Sequence, residues 1–203
     1  ETLLKDLKDA IRAAKDDKRI KALYLDVDDM SGAGMTKLRD LRAAIADFKK
    51  SGKKVVAYSD GLMQAQYYLA AQADEVYLHP QGRLLLEGFG RWRNYYKEGL
   101  DRYGIDVHVF RVGEYKSAVE PYLRDDMSPE AKEMSLEFYG DLWRDYLADV
   151  AEARKIRPED ISATIDAAPE RLRAAGGDLA KAAPDAKLVD RPAQRDEVRK
   201  RTI

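Results

Sequence analysis

Short apolar runs alternate with longer stretches of helical period along the first half of this chain, and that alternation constrains the fold more than any other feature. Leu3, Leu4, Leu7, Ile11 and Ala14 recur on one face of residues 3 to 17, with lysines and aspartates opposite, the pattern of an amphipathic helix. Ile20 to Val27 then reads as a buried strand. After the turn Ser31-Gly32-Ala33-Gly34, residues Leu38, Leu41, Ile45 and Phe48 return to helical spacing until Gly52 stops the helix. Lys54 to Tyr58 is the next strand, Gly61 to Gln72 is helical in composition, and Glu75 to Leu78 and Gly82 to Leu86 are short strands around the turn His79-Pro80-Gln81. A helix from about Trp92 to Tyr103 and a strand over Val107 to Val112 complete the series. Strands separated by helices predict parallel crossover units in an α/β layer architecture.

Beyond residue 116 the character changes. Ser128-Pro129-Glu130 is a strong helix start, with a serine cap, proline in the first turn and an acid at the positive helix end. Leu136, Tyr139, Leu142, Trp143, Tyr146, Leu147 and Val150 carry that helix to about Lys155, and its aromatics read first as packing residues. Arg157-Pro158, Ala168-Pro169 and Gly176-Gly177 divide a tail of short helices, and Lys187 to Asp190 reads as a small last strand.

With 203 residues, 45% of them hydrophobic, the chain can bury one good core, and a single domain over residues 1–203 is expected. Its 36 basic and 37 acidic residues balance, leaving no electrostatic footprint for nucleic acid. Without cysteine there is neither thiolate nucleophile nor disulfide, and with two distant histidines no metal cage is expected. No apolar run approaches the roughly 18 residues a membrane helix needs. A soluble piece of something longer is the expectation, since the sequence opens on Glu1 directly into a helical pattern.

Chemistry concentrates at Val112-Gly113-Glu114-Tyr115-Lys116-Ser117-Ala118-Val119, where a lysine follows the apolar run Asp106 to Val112 and a glycine turn. A hydrated ammonium is a poor base, but a lysine kept dry has its pKa pulled down and can accept a proton near neutrality. Flanked by Val112, Tyr115, Ala118 and Val119, Lys116 is expected to tuck against apolar neighbours. Ser117 points to the opposite face of an extended segment and has at most a supporting role, as does Gly113 in the turn. Ser59 precedes Asp60-Gly61 but lacks the Gly-x-Ser-x-Gly spacing of a nucleophile elbow, so a turn or cap role is expected. Gly32 and Gly34 read as a turn before a helix, and His79 and His108 have no partner at a recognisable spacing.

The order of segments, together with Tyr67-Tyr68-Leu69-Ala70, His79-Pro80-Gln81-Gly82, the run His108 to Tyr122, Arg124-Asp125-Asp126-Met127-Ser128-Pro129, and Gly176-Gly177-Asp178 followed by Lys187-Leu188-Val189-Asp190, resembles the signal peptide peptidase A (protease IV) family, specifically the amino-terminal domain of its long tandem-domain bacterial type. The resemblance implies a crotonase/ClpP-like fold of repeated β-β-α units with additional carboxy-terminal helices. It implies a Ser/Lys-dyad serine endopeptidase acting on signal-peptide remnants, without cofactor or metal, at the periplasmic face of the cell inner membrane, with the membrane anchor outside this chain. Lys116 takes the place of the general base. The stretch Gly61 to Tyr68 corresponds to the serine motif, and the serine position falls on Gln64 or Ala65, neither of which can attack a carbonyl; a second, assisting serine falls on Leu86. The resemblance therefore implies a partner: a serine-bearing carboxy-terminal domain from the same or a neighbouring protomer of a homo-oligomer, with hydrophobic signal peptides as substrates and no nucleic acid. The alternative is a non-catalytic crotonase-like scaffold that assembles through the aromatic face from Phe138 to Tyr146. An acyl-CoA enzyme of the wider fold lacks a placed acidic pair.

Overall fold

The computed structural model describes residues 3–110, 112–113, 115–178, 180 and 187–202. In chain order its elements are α1 (Leu4–Asp16), β1 (Ala22–Asp26), α2 (Met35–Lys49), β2 (Lys54–Ser59), β3 (Leu62–Met63), α3 (Gln64–Ala70), β4 (Glu75–Leu78), β5 (Leu84–Leu85), α4 (Lys97–Arg102), a 3-10 turn (Ser117–Val119), α5 (Glu120–Leu123), α6 (Pro129–Arg154), α7 (Pro158–Asp166), α8 (Ala168–Ala174), β6 (Arg191–Pro192) and α9 (Arg195–Thr202). They divide into two compact units: Glu1–Glu87 with Tyr146–Ile203, and Gly88–Asp145.

The larger unit is built on a parallel sheet in the order β1-β2-β4-β6, beside a two-stranded parallel sheet β3-β5. Successive strand pairs feed the two sheets alternately: β2 and β4 pair in the first, β3 and β5 in the second, and a helix follows each pair. The expected α/β class with β-β-α units is what the chain adopts. β2 is the central strand, and its Val55, Ala57 and Ser59 are fully buried, with Val56 and Tyr58 close to it, as a parallel strand covered on both faces requires. Leu38, Leu41, Ala44, Ile45 and Phe48 form the inward stripe of α2. The sequence spacing named four of those five.

Polar groups close the edges of this core. Two aspartates repeat one device at strand starts: the Asp74 N–H donates to the Val55 carbonyl while its carboxylate accepts the Val55 N–H at 2.9 Å, and Asp190 does the same to Val76, its carboxylate accepting at 2.6 Å. Lys53 donates to the carbonyls of Ala14, Lys15 and Asp17 at 2.7–2.8 Å, satisfying the end of α1 that has no further helix turn to accept from. Three fully buried tyrosines each find an acceptor. Tyr67 donates to the Leu188 carbonyl (2.8 Å), Tyr68 to Asp149 (2.5 Å) and Tyr146 to the Gln64 carbonyl (3.0 Å). Burial raises all three phenols, so they remain neutral donors. Asp149 on α6 also accepts from Arg39 on α2 at 3.0 Å.

α9 is held by Arg195, whose guanidinium lies over the Tyr58 ring at 4.7 Å and bonds Asp26, Asp28 and, at 3.2 Å, Asp60. One cation thus joins the carboxyl ends of β1 and β2 to the last helix. Desolvation works against its charge, but the Asp60 and Asp28 bonds outweigh that and hold it protonated.

Several boundaries differ from the sequence expectation. Gly61 to Gln72 is not one helix, because Leu62 and Met63 pair with Leu84 and Leu85 before α3 begins. The helix expected from Trp92 is confined to Lys97–Arg102. The strand expected over Val107 to Val112 is absent from the described part of that run: residues 105–110 lie outside regular structure, and Arg111 lies outside the described residues. Apolar content alone raised that expectation, and no neighbouring strand among the described residues takes up its backbone. Lys187 to Asp190 forms bends, and the strand comes directly after, at Arg191–Pro192, where Asp190 seats it on β4.

Arg195→Leu removes the cation and leaves three clustered carboxylates, and is expected to cost about 1–3 kcal/mol of unfolding free energy in urea melts. Asp60 is held below its ordinary 3.8, first by the Tyr58 hydroxyl and then by Arg195. A lowered carboxyl pKa gives stability that is present above the unfolded value and lost as pH falls through the folded one. The difference between parent and variant should therefore persist at neutral pH and shrink below about pH 4.

Candidate functional site

Lys116 sits in the smaller unit, on a turn assembled from backbone contacts. Gly113 takes φ +102°, a conformation that side chains disfavour, and the aliphatic stem of Lys116 lies over it, Cε being 3.8 Å from where a Cβ would stand. The chain then closes a tight bend, Ser117 N–H donating to the Tyr115 carbonyl at 3.1 Å, before the 3-10 turn. Arg93 grips this bend with both arms of its fork, donating to the carbonyls of Ser117 at 2.8 Å and Ala118 at 2.7 Å. Behind it Ser117 and Glu120 are buried, and Glu120 accepts from the Ser128 N–H at 3.4 Å. Ser128 caps α6 through the Ala131 N–H at 3.1 Å, as its position before Pro129 predicts.

The lysine itself is exposed. Val112 and Tyr115, expected to shelter it, are 84% and 53% exposed. The expected apolar tuck is therefore not made by the described residues of this chain. Glu114, within the motif, lies outside the described residues. Gly113 and Ser117 share the turn with Lys116, but the buried Ser117 faces the interior and not the surface on which the amine lies.

In the larger unit the segment Gly61 to Tyr68, matched to a serine motif by resemblance, has a defined geometry and no serine. Gln64 and Ala65 open α3; the Gln64 side chain accepts from the Glu87 N–H at 3.1 Å, and its backbone carbonyl accepts from Tyr146. Leu86 is buried. Gln66 is the organising residue here: its carbonyl oxygen accepts from the Met63 N–H at 2.8 Å, and its amide donates to the carbonyls of Val27 at 3.0 Å and Met30 at 3.2 Å. That clamp fixes the loop leading to Gly32 and Gly34, whose Cβ positions face open space. Ser59 is fully buried, donates to Asp28 at 2.5 Å and accepts from the Gly61 N–H at 3.1 Å, the turn role expected of it. His79 accepts from the Gln81 N–H at 3.1 Å in the turn before β5, and His108 is exposed.

Comparison with known proteins decides the family. The profile of Peptidase family S49 matches residues 47–202. The chain belongs to peptidase family S49. It is 44% identical over 200 residues to a protein named Protease 4 from Salmonella typhi, covering 98% of this chain and 32% of that protein. Protease 4 of Haemophilus influenzae is 45% identical over 152 residues, 75% of this chain and 25% of the relative. The chloroplastic serine protease SPPA of Arabidopsis thaliana is 31% identical over 163 residues. The chain spans about a third of the length of the first of these S49 relatives and about a quarter of the others.

Arg93 and Gln66 are the residues that sequence reasoning missed. Arg93 belongs to no motif, Gln66 is a non-nucleophilic position within the stretch Gly61 to Tyr68, and each acts on carbonyls distant in sequence, so no local spacing marks its role. Arg93→Ala is expected to leave the larger unit's stability unchanged while speeding amide hydrogen exchange across Tyr115 to Val119; unchanged protection there would show that Arg93 does not hold the turn.

Proposed function

We propose that this chain is the base-bearing part of a Ser/Lys serine endopeptidase that degrades signal-peptide remnants, with Lys116 as general base and the nucleophilic serine supplied by a further domain of the same or a neighbouring protomer. The observation that carries the reading is an Arg93-anchored turn presenting Lys116 at the surface, within the S49-matched region, in a chain whose serine-motif positions are Gln64 and Ala65.

Exposure of the amine fits this division of labour. A companion module closing over the turn would remove water from around the Lys116 amine, and desolvation favours the neutral, basic form of a lysine. The neutral Nζ then takes the proton from the serine hydroxyl as Oγ attacks the peptide carbonyl, and returns it to the leaving amine. Water activated by the same Nζ hydrolyses the acyl-enzyme. No helix among the described residues is long and apolar enough to cross a membrane, so on this reading the anchor that keeps the enzyme at the periplasmic face of the inner membrane belongs to another part of the protein.

The second reading, a scaffold for homo-oligomer assembly, draws on the first half of α6, where Leu136 is 76% and Phe138 58% exposed. The face proposed from sequence is not continuous, because Tyr146 at its far end is fully buried in the core of the larger unit. Leu136→Glu with Phe138→Glu is expected to lower the oligomer mass measured by light scattering if that surface is an interface, and to leave it unchanged otherwise.

Lys116→Ala in the complete protein is expected to lower turnover of an apolar peptide by at least about a hundredfold with the melting temperature unchanged. Lys116→Arg should not restore it, since a guanidinium does not release its proton. The 203-residue chain alone should show no turnover. Activity retained in Lys116→Ala would overturn the assignment.

A further inference from the structure

The smaller unit contains a cavity of about 470 Å³ walled by Tyr95, Tyr96 and Tyr103 and by the carboxylate residues Glu98 and Asp125. We propose that this cavity receives the cationic side chain, lysine or arginine, of a bound polypeptide. Three observations point to a cation. First, the walls are tyrosine rings, whose faces carry negative potential and attract ammonium and guanidinium groups. Second, neither Glu98 nor Asp125 meets a lysine or arginine among the described residues, although the cations nearest to them in sequence, Lys97 and Arg124, are each engaged by another acid, Asp101 and Asp126. Third, the Tyr95 hydroxyl is buried with no hydrogen-bond partner among the described residues, an arrangement that costs free energy until a donor or acceptor reaches it.

The cavity is built rather than incidental. The Tyr96 N–H donates to the Pro121 carbonyl at 2.6 Å, and its ring stacks on Tyr122 at 5.9 Å between centroids. Asp125 accepts from the Glu98 N–H at 2.9 Å, fixing one carboxylate at the start of α4. Three contacts therefore lock the start of α4 to the segment around α5, which pre-organises these walls for a ligand.

Chemistry narrows the occupant. Phosphate-bearing ligands are repelled by two carboxylates. A bare divalent ion wants six or more oxygens in a close shell, and neutral phenols among aromatic walls do not supply one. A lysine or arginine side chain satisfies both parts of the wall, its alkyl stem against the rings and Leu100 and its charged end at the acids. The identity of the carrier rests on the peptidase reading: signal-peptide remnants place basic residues directly before an apolar run, so the cavity would hold the basic end of the substrate while the apolar part is cleaved elsewhere.

The test uses the complete protein carrying Lys116→Ala to prevent turnover, and two fluorophore-labelled peptides with the same apolar run, one preceded by two lysines and one by two glutamines. Binding is read by anisotropy. Glu98→Gln and Tyr103→Ala, both at exposed positions, are each expected to weaken the lysine peptide about three- to tenfold and to leave the glutamine peptide unchanged. Equal affinity for the two peptides, equal loss of both, or binding of neither overturns the proposal. Turnover of the glutamine peptide by the protein with Lys116 intact is measured in parallel. No turnover alongside lysine-selective binding would sink the peptidase reading and leave the cavity assignment standing; turnover with unselective binding would sink the cavity assignment alone.

Discussion

A parallel sheet must be covered on both faces and finished at both edges, and in this chain the finishing strand comes from residues 191–192, more than a hundred positions after its partner β4. The larger unit is therefore incomplete until the carboxy-terminal segment returns. Asp190 captures the Val76 N–H as β6 arrives, and Arg195 then pins α9 across Asp26, Asp28 and Asp60 with its guanidinium over Tyr58. Most pairings nearer in sequence, such as β1 with β2, need only a crossover helix. The late closure allows the chain to make an excursion through residues 88–145 while both ends of the excursion belong to the same core.

That excursion carries the lysine. Its architecture differs from that of the sheet unit: besides the first part of α6 it has short helices, a 3-10 turn and irregular segments held by individual polar contacts. Arg93 on the carbonyls of Ser117 and Ala118, Tyr96 on Pro121 and Asp125 on Glu98 are single tethers that specify backbone direction. Such a unit can display many apolar side chains outward, and it does: Trp92, Phe110 and Val112 are all more than four-fifths exposed. In the sheet unit the corresponding role is played by buried hydroxyls, with Tyr67, Tyr68 and Tyr146 each matched to one acceptor.

Much of the sheet unit was legible in the sequence because its elements announce themselves locally. The stripe of α2, the run Lys54 to Tyr58 and the strand Glu75 to Leu78 are each specified by residues within one or two turns of one another, as is the Ser128 cap in the smaller unit. Legibility failed where a segment's state depends on a partner. Leu62 and Met63 look helical in composition until Leu84 and Leu85 pair with them. Val107 to Val112 has the content of a strand, but strand formation requires a neighbour, and composition cannot supply one. The stretch around Lys116 drew attention through its resemblance to a known family, whereas Arg93 and Gln66 did not, since what each holds is a set of carbonyls and carbonyls leave no trace in sequence.

Sequence by itself determined the α/β class, the crossover helices and the absence of a hydroxyl at Gln64 and Ala65, because each follows from residue type and spacing along the chain. Only the tertiary structure decided that Lys116 stands exposed on a tethered turn, that one arginine gathers three carboxylates, and that two acids meet three tyrosines in one cavity. Exposure and electrostatic neighbourhood are sums over residues brought together from distant positions, and folding alone fixes which of them meet.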